Sequence, residues 1–120
     1  MNTNFKETWE TYVSSWKVET AAEKRAIFEK ALAPNCHYQY PLASTTNWDE
    51  LVAYMLDFHQ QIPGGHFVTT YFAHHNDKSI ATWQMKSGDN IVLGNGISYG
   101  EYNVQGVLTS MIGFFEVPQG

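Results

Sequence analysis

The chain has a single cysteine, Cys36, among its 120 residues. An intrachain disulfide is excluded, and a reducing compartment is the natural setting. Basic residues are scarce. Seven Lys and Arg stand against twelve Asp and Glu, for a net charge of −5. Lys24-Arg25 is the only adjacent basic pair. A surface of that sign opposes binding to nucleic acid or to an anionic membrane. No apolar run reaches bilayer length. The opening Met1-Asn2-Thr3-Asn4-Phe5-Lys6-Glu7 lacks the charged-then-apolar pattern of a secretory leader. These absences predict a cytoplasmic chain with neither nucleic-acid nor membrane partners. Repeats, low-complexity tracts and linkers are also missing, and residues 1–120 have the size of one domain. Such a domain buries roughly two-thirds of its unfolded surface, enough for a core without staples.

Aromatic residues are plentiful, and they fall on faces. Phe5, Trp9, Tyr12, Val13 and Trp16 share one side of an amphipathic helix. Thr20-Ala21-Ala22-Glu23 fits a capping box and opens a second helix with Ala26, Ile27, Ala31 and Leu32 as its apolar side. Pro34-Asn35 ends it. Cys36 to Tyr40 reads as a short strand before Pro41. A polar loop, Ser44-Thr45-Thr46-Asn47, leads to a third helix capped by Asn47 with Glu50. Trp48, Leu51, Val52, Met55, Phe58, His59 and Ile62 keep helical spacing until Pro63-Gly64-Gly65. Strands are then predicted over 66–75, 79–87, 91–103 and 107–117, separated by segments rich in Asn, Asp and Gly. Hairpin-linked strands form an antiparallel meander. The glycines Gly94, Gly96 and Gly100 share one face of the third, where they either curve the sheet or leave room for a ligand. The arrangement predicts an α+β fold in which a curled sheet is closed by helices around an aromatic pocket.

With this order, α-α-β-α-β-β-β-β, the chain resembles the nuclear transport factor 2-like superfamily, especially its SnoaL-like cyclase and ketosteroid-isomerase-like members. The likeness is carried by Tyr12-Val13-Ser14-Ser15-Trp16, Tyr40-Pro41, His66-Phe67-Val68-Thr69-Thr70, Ile80-Ala81-Thr82-Trp83 and 106–115. It implies one SnoaL-like domain over 1–120, a cone-shaped, bent, mixed sheet with helices packed inside, and a homodimer through the outer sheet face. The fold hosts isomerases, dehydratases, cyclases, hydrolases and binding modules, so chemistry must come from the site.

Alternation along the strands turns that fold into a list of inward residues. Tyr40 shares its face with Tyr38 and Cys36, Trp83 with Ala81 and Met85, and Ser98 with the three glycines. The expected lining is Trp9, Trp16, Tyr38, Tyr54, Phe58, Trp83 and Ser98, with Tyr12, Tyr40 and His66 as groups able to do chemistry. Ketosteroid-isomerase-like members place a carboxylate base before the Pro of the short strand, where this chain has Tyr40. They place a strand acid near Ser98. Only their helix-one tyrosine is kept, as Tyr12. A phenol of pKa about 10 is a poor base at neutral pH, so steroid isomerisation of that type is excluded. No aspartate faces inward, Glu101 has the opposite parity to Ser98, and Glu116 lies at the far end of the sheet. His66 either moves a proton or is a strand-edge histidine bonded to backbone. His37 has outward parity, and His59 reads as a packed, hydrogen-bonded histidine. His74 and His75 point to opposite faces and make no metal site. The expected partner is a small hydrophobic molecule, with no metal and no cofactor. Two functions stay open: a cofactor-free isomerase, dehydratase or cyclase, and a non-catalytic binding or dimerisation module.

Overall fold

The computed structural model describes residues 4–41 and 43–114. Helix α1 (Phe5–Ser14) begins where the Asn4 side chain accepts from the Glu7 backbone N–H at 3.0 Å, which satisfies one of the free donors of the first turn. It buries Trp9 and Tyr12, with Trp16 buried just past its end. Helix α2 (Ala21–Ala31) has the expected capping box, since Thr20 Oγ accepts from Glu23 N–H at 3.2 Å and donates to the Glu23 carboxylate at 2.8 Å. Its buried face differs from the expected one. Lys24, Phe28 and Ala31 face in, whereas Ala26 is exposed and Ile27 half-buried. A lysine stem is apolar enough to pack inside when its ammonium finds partners.

Pro34-Asn35 does not end this helix. Helix α2 stops at Ala31 and runs straight into strand β1 (Leu32–Tyr40). The register of β1 slips between Leu32 and His37, and the irregularity accommodates a proline that has no N–H to give. The expected polar loop contains a short strand, β2 (Ala43–Thr45), paired antiparallel with Tyr38–Tyr40. Helix α3 (Trp48–Gln61) is capped as expected, with Asn47 accepting from Glu50 N–H at 2.9 Å. The meander follows as β3 (His66–His75), β4 (Lys78–Lys86), β5 (Val92–Tyr102) and β6 (Leu108–Phe114). Residues 115–117 of the last expected strand, and Glu116 with them, lie outside the described residues.

The six strands form one open mixed sheet in the order β2-β1-β6-β5-β4-β3. Among the described strands only β1 and β6 run parallel. This is the expected α+β order with β2 added. Register shifts interrupt the pairings at Thr69/Tyr71, Met85/Lys86 and Glu101/Tyr102. Such irregularities bend strands, and the bent sheet wraps the helices. Among the described residues no helix is long and apolar enough to cross a membrane.

Gly96 fixes one detail of this wrap. A Cβ there would lie 2.2 and 2.4 Å from Trp83 ring carbons and 2.8 Å from the Phe114 carbonyl oxygen. The Trp83 indole therefore rests on bare backbone. A Cβ at Gly94 would meet only Met85 Cε, at 3.9 Å. We expect Gly96→Ala to lose about 1–3 kcal/mol in urea unfolding, and Gly94→Ala to lose less than about 1 kcal/mol. Equal losses would contradict the seating of Trp83.

Candidate functional site

Between the helices and the concave side of the sheet lies a cavity of about 260 Å³. Helix α1 and the turn after it bring Trp9, Tyr12 and Trp16, β1 brings Tyr38 and Tyr40, and α3 brings Tyr54 and Phe58. Strands β4 and β5 bring Trp83 and Ser98. The indoles of Trp9, Trp16 and Trp83 line the hollow rather than plug it. Nine of the ten residues singled out from the sequence thus meet in one place.

His66 is the exception. It pairs with Lys86 at the start of β3, its Nδ1 lies 3.1 Å from the Gly64 carbonyl oxygen, and it does not line the cavity. Its neighbour Phe67, opposite Met85, points inward instead. The parity that placed Tyr38 and Tyr40 would have found Phe67 once His66 was set facing out. The other histidines are elsewhere too. His37 is exposed, His59 contacts Lys24, His74 packs against Phe5 and Phe72, and His75 contacts Asn76. Sequence reading also passed over Gly113, which pairs with Ser98 across β5 and β6. A Cβ on it would sit 3.4 Å from Tyr40 Cβ and 3.7 Å from Ser98 Oγ, so the missing side chain leaves open wall between them.

The rings hold one another by their edges. Trp16 meets Tyr54, Phe58 and Phe67 at centroid distances of 6.0, 5.4 and 5.1 Å with near-perpendicular planes. Phe67 meets Trp83 edge-on at 5.1 Å, and Tyr40 contacts Tyr54 at 5.1 Å and Tyr38 at 5.6 Å. Edge-to-face contact is the arrangement that the ring quadrupoles favour.

Two hydroxyls of wall residues accept from wall indoles. Trp16 Nε1 donates to Tyr12 Oη at 2.9 Å, and Trp83 Nε1 donates to Ser98 Oγ at 2.9 Å. An indole nitrogen can only donate, so each oxygen accepts and keeps its own proton to give. The phenols are acids held in their neutral form. Burial raises the Tyr12 pKa well above the tyrosine range, with the Trp16 bond opposing and Cys36 adding to the rise. Burial raises Tyr38 in the same way, helped by Tyr12 and Tyr40. Tyr40 is raised by burial and then by the charge of Asp57, which sits outside the cavity on α3 and accepts from Gln61 at 2.7 Å. Burial pushes the Cys36 thiol up to about 12, so it is no nucleophile at neutral pH. Among the described residues no carboxylate, imidazole, lysine or arginine lines the hollow. It offers hydrogen bonds from neutral groups inside apolar walls.

The sequence matches no protein-family model, and no curated protein matches it. Solved structures do match. A candidate isomerase of the SnoaL-like family from Agrobacterium tumefaciens superposes with a TM-score of 0.85 at 23% identity, over 94% of this chain and 97% of that one. A candidate SnoaL-like polyketide cyclase from Jannaschia gives 0.70 at 10% identity, over 92% and 86%. The protein TerC, crystallised with polyporic acid, gives 0.75 at 8% identity, over 93% and 91%. At these identities the likeness establishes the fold, which is the nuclear transport factor 2-like cone.

Raised phenol pKa values carry a sign. A folded tyrosine that keeps its proton above pH 10 stabilises the fold below that pH, and the contribution is lost as pH rises through the folded value. We expect the Tm of the wild type to fall above about pH 10. Tyr12→Phe should flatten that fall, as read by calorimetry. An unchanged slope would contradict the burial of the Tyr12 hydroxyl.

Proposed function

We propose that this nuclear transport factor 2-like cone binds a small, neutral, mostly apolar ring molecule that presents an acceptor oxygen. The single observation that carries the reading is the pair of hydroxyls, Tyr12 and Ser98, each accepting from an indole N–H and each left with a proton to donate. A carbonyl oxygen is the partner such donors fit. The size follows from the hollow. An apolar cavity of roughly 150 Å³ takes benzene, so about 260 Å³ suits one or two fused rings. Trp9, Trp16, Tyr38, Tyr54, Phe58 and Trp83 supply apolar contact, and half-buried Tyr40 feels the charge of Asp57. Charged ligands would be desolvated without a partner and are disfavoured. TerC, a protein of the same fold, was crystallised with polyporic acid.

A second reading, cofactor-free isomerisation, dehydration or cyclisation, is favoured by one feature. The Asp57 carboxylate acts on Tyr40, a group that lines the cavity. In that reading Tyr12 and Ser98 polarise a carbonyl in a dry site, and Tyr40 takes the substrate proton only as it passes its own to the Asp57 carboxylate. His66 is too poorly placed to carry it.

The binding reading is tested with three bicyclic probes of similar shape: indane, 1-indanone and indole. Calorimetric titration should rank 1-indanone first, because only it offers an acceptor without a donor. Tyr12→Phe and Ser98→Ala should each weaken 1-indanone by about 0.5–1.5 kcal/mol and leave indane within twofold. Gly113→Ala, whose methyl fits at ordinary contact distance, should do the same by covering Ser98. Absence of binding by all three probes would overturn the proposal. Turnover of a bound cyclic ketone by the wild type that Asp57→Asn abolishes would move the balance to the enzyme reading.

The proposal extends to assembly. The outer sheet face carries a row across four strands, Tyr71, Thr82, Ile97 and Phe114, with Ile80 beside it. Four of these five are exposed large hydrophobics. A contiguous exposed apolar patch marks an interface, and a second copy of the chain would cover it. Sedimentation at micromolar concentration should give twice 13.7 kDa, and Ile97→Glu should give the single mass. A wild-type mass of one chain would contradict this.

A further inference from the structure

Lys24 is the one charged side chain that is fully buried among the described residues, with 0% of its surface exposed. It lies in the first turns of α2 and reaches back under the corner between α1 and α2. Its Nζ donates to the Ser15 carbonyl at 2.8 Å and to the Val18 carbonyl at 2.6 Å, and lies 2.8 Å from His59 Nε2 on α3. An ammonium has three protons and no lone pair. Three partners therefore use it fully, and His59 Nε2 must be the bare nitrogen of a neutral ring. Ser15 and Val18 flank Trp16, and His59 follows Phe58. Trp16 and Phe58 meet edge-on at 5.4 Å, and both line the cavity. The ammonium thus ties the backbone on each side of one wall ring to the residue next to the other.

We infer that the Lys24–His59 contact is a proton-sensitive clamp on the Trp16–Phe58 wall, closed while the imidazole is neutral and released when it takes a proton. As regulation of ligand uptake, the inference rests on the binding reading above. Imidazolium would set a second cation against a buried ammonium 2.8 Å away. Solvent reaches His59 through a cleft bordered by Glu19, Leu56 and Gln60, so the proton has a route. The charged groups acting on the pair are Glu19, in the turn before α2, and Glu23, on α2, both exposed. Asp57, on the same helix as His59, acts on Tyr40 instead. Burial and then the Lys24 charge hold His59 below the usual imidazole range, against a weaker pull from the Val18 carbonyl and Glu19. Burial lowers Lys24 to about 8, against Glu23 and Glu19, so it is mostly charged at neutral pH. A depressed imidazole means that the clamp is complete above the ordinary histidine pKa and is lost as pH falls through the lower, folded value.

The test begins without ligand. The Trp16 indole N–H resonance, assigned with Trp16→Phe, is followed by nitrogen–proton correlation NMR from about pH 7.5 to about pH 5. It should move with a single inflection below the ordinary imidazole value. His59→Gln keeps an acceptor for Lys24 without a titrating proton, and should abolish the inflection. Lys24→Met keeps the stem without the charge, and should raise the inflection toward the ordinary histidine range. In the ligand arm, 1-indanone should bind the wild type about fivefold or more weakly at the lower pH, and His59→Gln by less than twofold. A wild-type resonance that stays fixed, or one that titrates identically in His59→Gln, would overturn the clamp. If no probe binds at any pH, the binding reading falls, and the indole resonance still decides for or against the clamp.

Discussion

An indole N–H can donate and cannot accept, so every buried tryptophan obliges the fold to supply an acceptor. This chain has four tryptophans, and each finds one within the protein. Trp9 uses Thr69 Oγ, Trp48 the Ala33 carbonyl, Trp16 the Tyr12 hydroxyl and Trp83 the Ser98 hydroxyl. The first two end in structure. The last two end in hydroxyls on the wall of a hollow, and that constraint gives the hollow its chemistry. A hydroxyl already accepting from an indole is a better donor for it, because hydrogen bonds in a chain polarise one another.

The hollow exists because its rings are supported sideways. Trp83 rests against Gly96, Phe67 meets it edge-on, and Trp16 stands against Tyr54, Phe58 and Phe67. Rings braced in this way cannot fall into the centre without losing several contacts at once. The helical side of the brace is held by Lys24, which joins three segments through one ammonium. A buried cation with a neutral imidazole partner is costly to leave unpaired, so the two halves of the wall are strongly bound to each other at neutral pH.

Most of the fold was legible in the residues, for local reasons. Thr20 and Asn47 each cap a helix, as their spacing to Glu23 and Glu50 predicts. The capping boxes at Thr20 and Asn47 and the turn segments of the meander state their geometry within a few residues. Strand parity then placed Tyr38, Tyr40, Trp83 and Ser98 on the inner face. What escaped depends on contacts distant in sequence. Strand β2 is too short and polar to show alternation, and exists only because β1 offers an edge. Pro34 sits in a strand because β1 can slip its register there. Lys24 reads as a surface residue in a charged stretch, and nothing local says that Ser15, Val18 and His59 converge on it. Of the two readings open for His66, the strand-edge one matches its place beside the Gly64 carbonyl, and Phe67 lines the hollow instead. Gly113 carries no side chain to notice, and its role is the space it leaves beside Ser98.

The central claim is that two indole-backed hydroxyls face an open aromatic hollow and hold an acceptor oxygen there. A crystal structure of the protein soaked with 1-indanone tests it most directly. The bicycle should lie between Trp16 and Trp83, with its carbonyl oxygen about 2.7–3.0 Å from Tyr12 Oη or Ser98 Oγ. A ligand bound outside the hollow, or one lying inside with its oxygen turned toward solvent and no contact to either hydroxyl, would contradict it.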